Sequence, residues 1–284
     1  MAAEIARLQP PVATAHVVGI TGSPGVGKST TTAALIAEWR DRGLTVAVVA
    51  VDPSSPFTGG ALLGDRVRME SHSTDDGVYI RSMAARGQLG GLSAATPAAV
   101  QVLAGCGFDV VVIETVGVGQ SEVDIVRYAD TVVILQAPGM GDRIQATKAG
   151  LLEIGDVFAV NKSDRPGANL TKRELVAMVS AKPLAPGQWR PPVLPIVATT
   201  GEGIATLVDT IEEHRHAGDV SGTVLERRRD RVAAQISALA QDQLQLAINQ
   251  QREAVDQLAA EVLAGRTDAY RAATEVLTGV GWRA

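Results

Sequence analysis

His16-Val17-Val18-Gly19-Ile20-Thr21-Gly22-Ser23-Pro24-Gly25-Val26-Gly27-Lys28-Ser29-Thr30-Thr31-Thr32-Ala33-Ala34-Leu35-Ile36 runs from a strand-like segment through a glycine-rich loop into a helix-forming segment. Residues 22–29 complete the pattern G-x-x-x-x-G-K-[ST]. In the order strand, loop, helix, such a pattern aims successive backbone N–H groups and a helix N-terminus at one point, the arrangement that holds a triphosphate. Gly22, Gly25 and Gly27 let the backbone close around phosphate oxygens where a Cβ would clash. Lys28 brings a point charge to the β and γ phosphates, and Ser29 offers a hydroxyl to Mg²⁺. Ser23, Pro24, Val26 and Thr30 complete the cradle. Only five of the 26 basic residues are Lys, so Lys28 is not a chance occupant of a lysine-rich chain.

Working outward, strand-like runs near 16–21, 45–52, 77–82, 108–114, 130–136, 155–160 and 193–198 alternate with helical patterns. That alternation predicts an α/β fold, a doubly wound and mainly parallel sheet with helices on both faces. Residues 1–15 form a short N-terminal segment, 16–218 a nucleotide-binding domain, and 219–284 a helical C-terminal region.

A second motif selects the base. Val157-Phe158-Ala159-Val160 runs into Asn161-Lys162-Ser163-Asp164, the N-K-x-D sequence, at the carboxyl edge where open parallel sheets bind ligands. The Asp164 carboxylate can accept from guanine N1–H and the exocyclic amine but faces a lone pair on adenine, which favours GTP over ATP. Taken alone, the motif also fits a polar turn between strand and helix. Between the two motifs, Phe108-Asp109-Val110-Val111-Val112-Ile113 leads into Glu114-Thr115-Val116-Gly117-Val118-Gly119-Gln120. Glu114 at that strand tip can hold a metal-bound water, and Gly117 can bring an N–H to the γ-phosphate. Many P-loop proteins carry Asp where this chain has Glu114. Upstream, Asp52 and Asp65 are further acids, each also suited to capping a helix.

Composition narrows the class. The net charge of −5 argues against nucleic acid, whose backbone calls for a basic face. No apolar run reaches the length that spans a bilayer, and Glu4 with Arg7 interrupts any signal-peptide core, so a cytoplasmic protein is expected. One cysteine, Cys106, excludes an internal disulfide and is expected to be a packed structural thiol.

Beyond Gly218, Gly and Pro nearly vanish until Gly265. Residues 222–264 read as one long helix or a broken pair, with Leu225, Val232, Ile236, Leu239 and Leu246 on one stripe and Val255, Leu258 and Val262 resuming it. One unbroken helix there would extend about 64 Å, longer than the nucleotide domain needs, so the stripe should meet another chain or fold back. Arg227-Arg228-Arg229 reads as a solvated face, and the pair His214 and His216 as an exposed helix face.

Gly-Ile-Thr-Gly-Ser-Pro-Gly-Val-Gly-Lys-Ser-Thr (19–30), Val-Asp-Pro-Ser-Ser (51–55), Thr-Gly-Gly-Ala-Leu-Leu-Gly-Asp-Arg (58–66), Glu-Thr-Val-Gly-Val-Gly-Gln-Ser-Glu (114–122) and Gly-Asp-Arg-Ile-Gln-Ala-Thr-Lys (141–148) together resemble the MeaB/ArgK family of P-loop GTPases. The resemblance implies a GTPase chaperone that binds GTP and GDP with Mg²⁺ and protects or reloads an adenosylcobalamin-dependent acyl-CoA mutase, chiefly methylmalonyl-CoA mutase. It implies a Mg²⁺ site drawn from Ser29, Asp52, Asp65 and Glu114, with Lys28, Asp65 and Glu114 serving catalysis. It implies a switch over 139–148, whose polar handles are Asp142, Arg143 and Lys148, and a guanine-contacting segment at Val197, Ala198 and Thr199. It also implies a homodimer formed through C-terminal helices. Val197 stands where the family usually has Ser, which leaves only a backbone contact from Ala198 or Thr199. Family members usually carry several dozen helical residues before the first strand, where this chain has about 15, so no role of that extension is carried over.

Two other classes use the same loop. A small-molecule kinase, which older naming of this family as an amino-acid transport kinase suggests, is opposed by N-K-x-D and by the lack of a legible acceptor pocket. A nickel-type metallochaperone GTPase usually needs Cys or His clusters, whereas Cys106 stands alone and His16, His72, His214 and His216 are scattered except for one His-x-His pair.

Overall fold

The computed structural model describes residues 15–52, 72, 74–84, 96–115, 124–139, 150, 153–181, 183–185 and 187–281. Val and Ile dominate the strands, since branching at Cβ suits a pleated backbone covered on both faces. In chain order the elements are β1 (His16–Thr21), α1 (Lys28–Asp41), β2 (Val46–Asp52), β3 (Val78–Ala84), α2 (Thr96–Gly105), β4 (Val110–Glu114), a 3-10 turn (Ile125–Arg127), β5 (Thr131–Gln136), β6 (Val157–Val160), α3 (Ala168–Ala181), β7 (Val193–Pro195) and α4 (Ile204–Ser221). The strands form one sheet in the order β3-β2-β4-β1-β5-β6-β7. Among the described residues all six strand pairings are parallel, as the alternation of strand and helix signals predicts.

Successive side chains of a strand point to opposite faces, and both faces are buried. Val18, Ile20, Val48, Val112, Val133 and Leu135 pack under Leu35, Ile36 and Trp39 of α1 and Leu207, Val208 and Ile211 of α4. Their neighbours Val17, Val49, Val111, Ile113, Ile134 and Phe158 pack against Val100 and Leu103 of α2, Ile125, and Leu175 and Val179 of α3. The strand β7 is shorter than the expected 193–198 run. It is an edge strand hemmed by Pro191, Pro192 and Pro195, none of which has an N–H for a ladder.

The N-terminal edge of the sheet is closed by a buried polar network that overturns two expectations. His214 is buried, its Nδ1 2.8 Å from Thr131 Oγ1 and its Nε2 3.3 Å from Asp156 Oδ1, so only His216 of the pair is exposed. Thr131 Oγ1 also lies 2.8 Å from Nε2 of the fully buried His16. With one hydroxyl hydrogen on Thr131, at least one of the two imidazoles must donate to it. Arg227 grips Asp156 with two bonds of 2.9 Å, and Arg228 grips Asp130 with bonds of 3.1 and 2.7 Å. These two arginines are therefore anchors rather than a solvated face. The same carboxylates accept backbone N–H groups from Val17 and Val132, at the starts of β1 and β5. Burial raises the Asp156 carboxyl, but hydrogen bonds from His214 and Arg227 more than offset it and hold it at about 2. Cys106 also departs from expectation, lying exposed in the turn after α2.

Chain contacts divide the protein into two compact units, Met1–Arg228 and Arg229–Ala284. Three further helices follow α4: α5 (Thr223–Gln250), α6 (Arg252–Leu263) and α7 (Ala269–Gly279). Of the two expected readings of 222–264, the broken pair is correct. The break is at Gln251, whose side chain occupies the space left by the missing Cβ of Gly279. Asp268 caps α7 by accepting from the N–H groups of Tyr270 and Arg271. Among the described residues, no helix is long and apolar enough to cross a membrane.

Candidate nucleotide-binding site

The chain crosses over β1 to pass from β4 to β5, so β1 lies at the point where strand order reverses, where open α/β sheets leave a ligand crevice. The glycine loop leaves β1 at this point. Thr21 ends β1 in register with Ile134, and Ile20 lies opposite Glu114. At Gly22 the backbone takes φ +142°, and a Cβ there would run into the Leu135 carbonyl oxygen. Gly27, at φ 96° and ψ 34°, starts α1 without a side-chain cap, and a Cβ on it would meet the Asn161 side-chain nitrogen. Lys28 folds back over the loop, donating from Nζ to the Gly22 carbonyl at 2.7 Å and the Ser23 carbonyl at 3.3 Å.

The first turn of α1 meets the tip of β4. Glu114 shares the strand face of Val110 and Val112, which points at α1, and it is buried. Its Oε1 accepts from Ser29 Oγ at 2.6 Å, and its Oε2 accepts from Thr32 Oγ1 at 2.7 Å. Beside it, Thr115 Oγ1 donates to Thr21 Oγ1 at 3.0 Å, linking the tips of β4 and β1. A hydroxyl and a carboxylate meeting at a helix start supply hard oxygen donors, so Ser29 and Glu114 fit a Mg²⁺ ion of the expected kind.

The N-K-x-D segment closes the crevice from the other side. Asn161 is buried and donates from Nδ2 to the Val26 carbonyl at 2.9 Å. Its Oδ1 accepts from the N–H groups of Lys162 at 2.8 Å and Ala198 at 3.1 Å. One amide thus joins the phosphate loop to the Val197–Thr199 segment. Lys162, at φ 58°, donates from Nζ to the Gly25 carbonyl at 2.7 Å, a second link to the loop. Asp164 is exposed, one turn beyond these anchored residues. The Ala198 N–H is committed to Asn161, while Thr199 is exposed. Val197 is buried, and bonds to its backbone hold the segment, one of them from the Thr200 hydroxyl at 3.2 Å. Val197 N–H donates to the Glu202 carbonyl and its own carbonyl accepts from Thr200 N–H, with Gly203 at φ +77° closing the turn.

Of the other expected site residues, Asp52 ends β2 in register with Ala84. Asp65, Gly117, Asp142, Arg143 and Lys148 lie outside the described residues, as does Gln120. Thr21, Thr32 and Thr115 were not anticipated. The signal for Thr32 was its place three residues after Ser29, which puts both hydroxyls on one helix face.

The sheet order, glycine loop and N-K-x-D segment define a P-loop nucleotide-binding protein of the GTPase type. The protein family described as "Methylmalonyl Co-A mutase-associated GTPase MeaB" matches residues 2–253, and the chain belongs to that family of GTPases. It is 48% identical over 275 residues to a Pyrococcus horikoshii protein described as a GTPase, covering 96% of this chain and 87% of that one. It is also 40% identical over 215 residues to the mouse mitochondrial methylmalonic aciduria type A homolog, covering 75% of this chain and 52% of the mouse protein. Among solved structures, a protein titled as a LAO/AO transport system kinase shares the fold with a TM-score of 0.68 at 22% identity, covering 99% of this chain and 86% of that one. The hydrogenase maturation factor HypB from Archaeoglobus fulgidus shares it with a TM-score of 0.52 at 16% identity, covering 74% and 98%. Among the described residues no group of three or more His, Cys, Asp and Glu side chains is placed to hold a metal ion.

Proposed function

We propose that this GTPase acts as a chaperone for an adenosylcobalamin-dependent acyl-CoA mutase, with methylmalonyl-CoA mutase the first candidate. The family description names that mutase, and one relative is named for methylmalonic aciduria. The observation that carries the nucleotide reading is Asn161, whose one amide ties Val26 of the phosphate loop to Ala198 of the base segment. Residues 22–30 hold the phosphates, Asp164 reads guanine, and Val197, Ala198 and Thr199 with Lys162 form the wall of the base site. Mg²⁺ would be held by Ser29 with Glu114, Asp52 and Asp65, and when bound it supplies charge stabilisation to the phosphates. Lys28 adds a fixed positive charge, and Glu114 receives the Ser29 hydroxyl hydrogen. Gln120 stands directly after Gly119 rather than Gly117, two residues later than the water-orienting Gln of small Ras-like GTPases. Hydrolysis without a partner is therefore slow. The protein works in the cytoplasm as a homodimer.

Calorimetry tests the base assignment. GTP and GDP should bind more tightly than ATP by at least about 2 kcal/mol, since guanine gives the Asp164 carboxylate two charge-assisted hydrogen bonds and adenine presents it a lone pair. Asp164→Asn should lose that preference and favour xanthosine nucleotides. Equal affinities for ATP and GTP would refute the assignment. Recovery of a cobalamin-dependent mutase on the immobilised protein, with faster GTP turnover when that mutase is added, tests the partner.

A further inference from the structure

We infer that Thr32 is a positioning residue for the cation site, holding Glu114 so that Glu114 in turn orients the Ser29 hydroxyl. The inference rests on the Mg²⁺ reading proposed above. Thr31 and Thr32 are adjacent on α1, yet their hydroxyls take different routes. Thr31 Oγ1 donates to the Gly27 carbonyl at 2.9 Å, the ordinary bond of a helical Thr to the fourth residue before it. Thr32 Oγ1 instead reaches across to Glu114 Oε2 at 2.7 Å. Thr32 is fully buried, as Glu114 nearly is, so neither group has solvent as an alternative partner.

The consequence lies at the other carboxylate oxygen. With Oε2 held by Thr32, the plane of Glu114 is fixed and Oε1 lies 2.6 Å from Ser29 Oγ. A serine hydroxyl has one hydrogen and two lone pairs. Donation of that hydrogen to Glu114 leaves the lone pairs, the part of the group a cation uses, facing away from the carboxylate. Thr32 thus acts on the cation site without touching it, through Glu114, as outer-shell partners do when they aim a ligand.

The test is GDP affinity by calorimetry with Mg²⁺ and with EDTA, for wild type, Thr32→Val and Thr32→Ser. Val keeps the shape of Thr and removes the hydroxyl, while Ser keeps the hydroxyl. Wild type should bind more tightly with Mg²⁺. Thr32→Val should lose about tenfold with Mg²⁺ and less than about twofold with EDTA, and Thr32→Ser should stay within about twofold of wild type in both. The role is overturned if Thr32→Val keeps the full Mg²⁺ effect, if it weakens GDP equally in both buffers, or if Ser does not rescue. A wild type indifferent to Mg²⁺ removes the cation reading and this role with it, whereas a wild-type-like Thr32→Val removes Thr32 alone.

Discussion

Asp156 illustrates how much one residue holds at the edge away from the nucleotide crevice. It accepts from Arg227, from Val132 N–H and, at 3.3 Å, faces His214, all while buried. Its folded carboxyl sits at about 2, below the usual carboxylate range, so the folded state binds this proton more weakly than the unfolded chain does. The stabilisation is therefore complete above that usual range and is lost as pH falls through it toward about 2. Acid unfolding should show wild type losing about 2 kcal/mol that Asp156→Asn does not lose. At neutral pH that variant should be about 3 kcal/mol less stable in urea, because Arg227 is left facing a neutral amide. Nothing in the local sequence marked Asp156, since its partners are supplied by strand β5 and helices α4 and α5. Glu114 was legible, because its place at a strand tip follows from the run before it.

At the scale of elements, the glycine loop is fixed by backbone shape as much as by side chains. Gly22 combines φ +142° with a blocked Cβ position, whereas Gly43 has φ +81° with open space around it. Gly43→Ala should cost about 1 kcal/mol of strain. Gly22→Ala should cost more, about 2 kcal/mol or above, and should abolish GDP binding, because the Leu135 carbonyl belongs to β5 and cannot yield. Thermal unfolding and calorimetry of the two variants would reveal this contrast, and equal behaviour would count against it. The helix α5 carries the other element-level prediction. Val232, Ile236, Leu239 and Leu246 are all exposed, with Leu239 at 53%. If that stripe is the dimer seam, Leu239→Asp should turn a dimer into a monomer or an aggregate in sedimentation. A monomeric wild type at micromolar concentration ends the dimer reading.

At the scale of the whole molecule, the proposed chaperone role has a thermodynamic consequence: if the mutase changes nucleotide affinity, the nucleotide changes mutase affinity by the same factor. The proposed coupling element is the segment containing Asp142, Arg143 and Lys148. Asp142→Ala and Lys148→Ala should leave partner-free GTP hydrolysis nearly unchanged and reduce its stimulation by the mutase. Full stimulation of both variants would remove this segment from the coupling.

The sequence by itself determined the parallel sheet, the glycine loop, the N-K-x-D turn after β6 and the helical C-terminal region. These rest on local periodicity and on motifs whose spacing is set within one strand, turn and helix. Tertiary structure decided what depends on partners far apart in the chain. It gave Thr32 to Glu114, joined Asn161 to both Val26 and Ala198, buried His214, and turned Arg227 and Arg228 into anchors. A solvated arginine run and a buried anchoring one look alike in sequence, because the carboxylates that distinguish them are brought up only when β1, β5 and β6 align in one sheet.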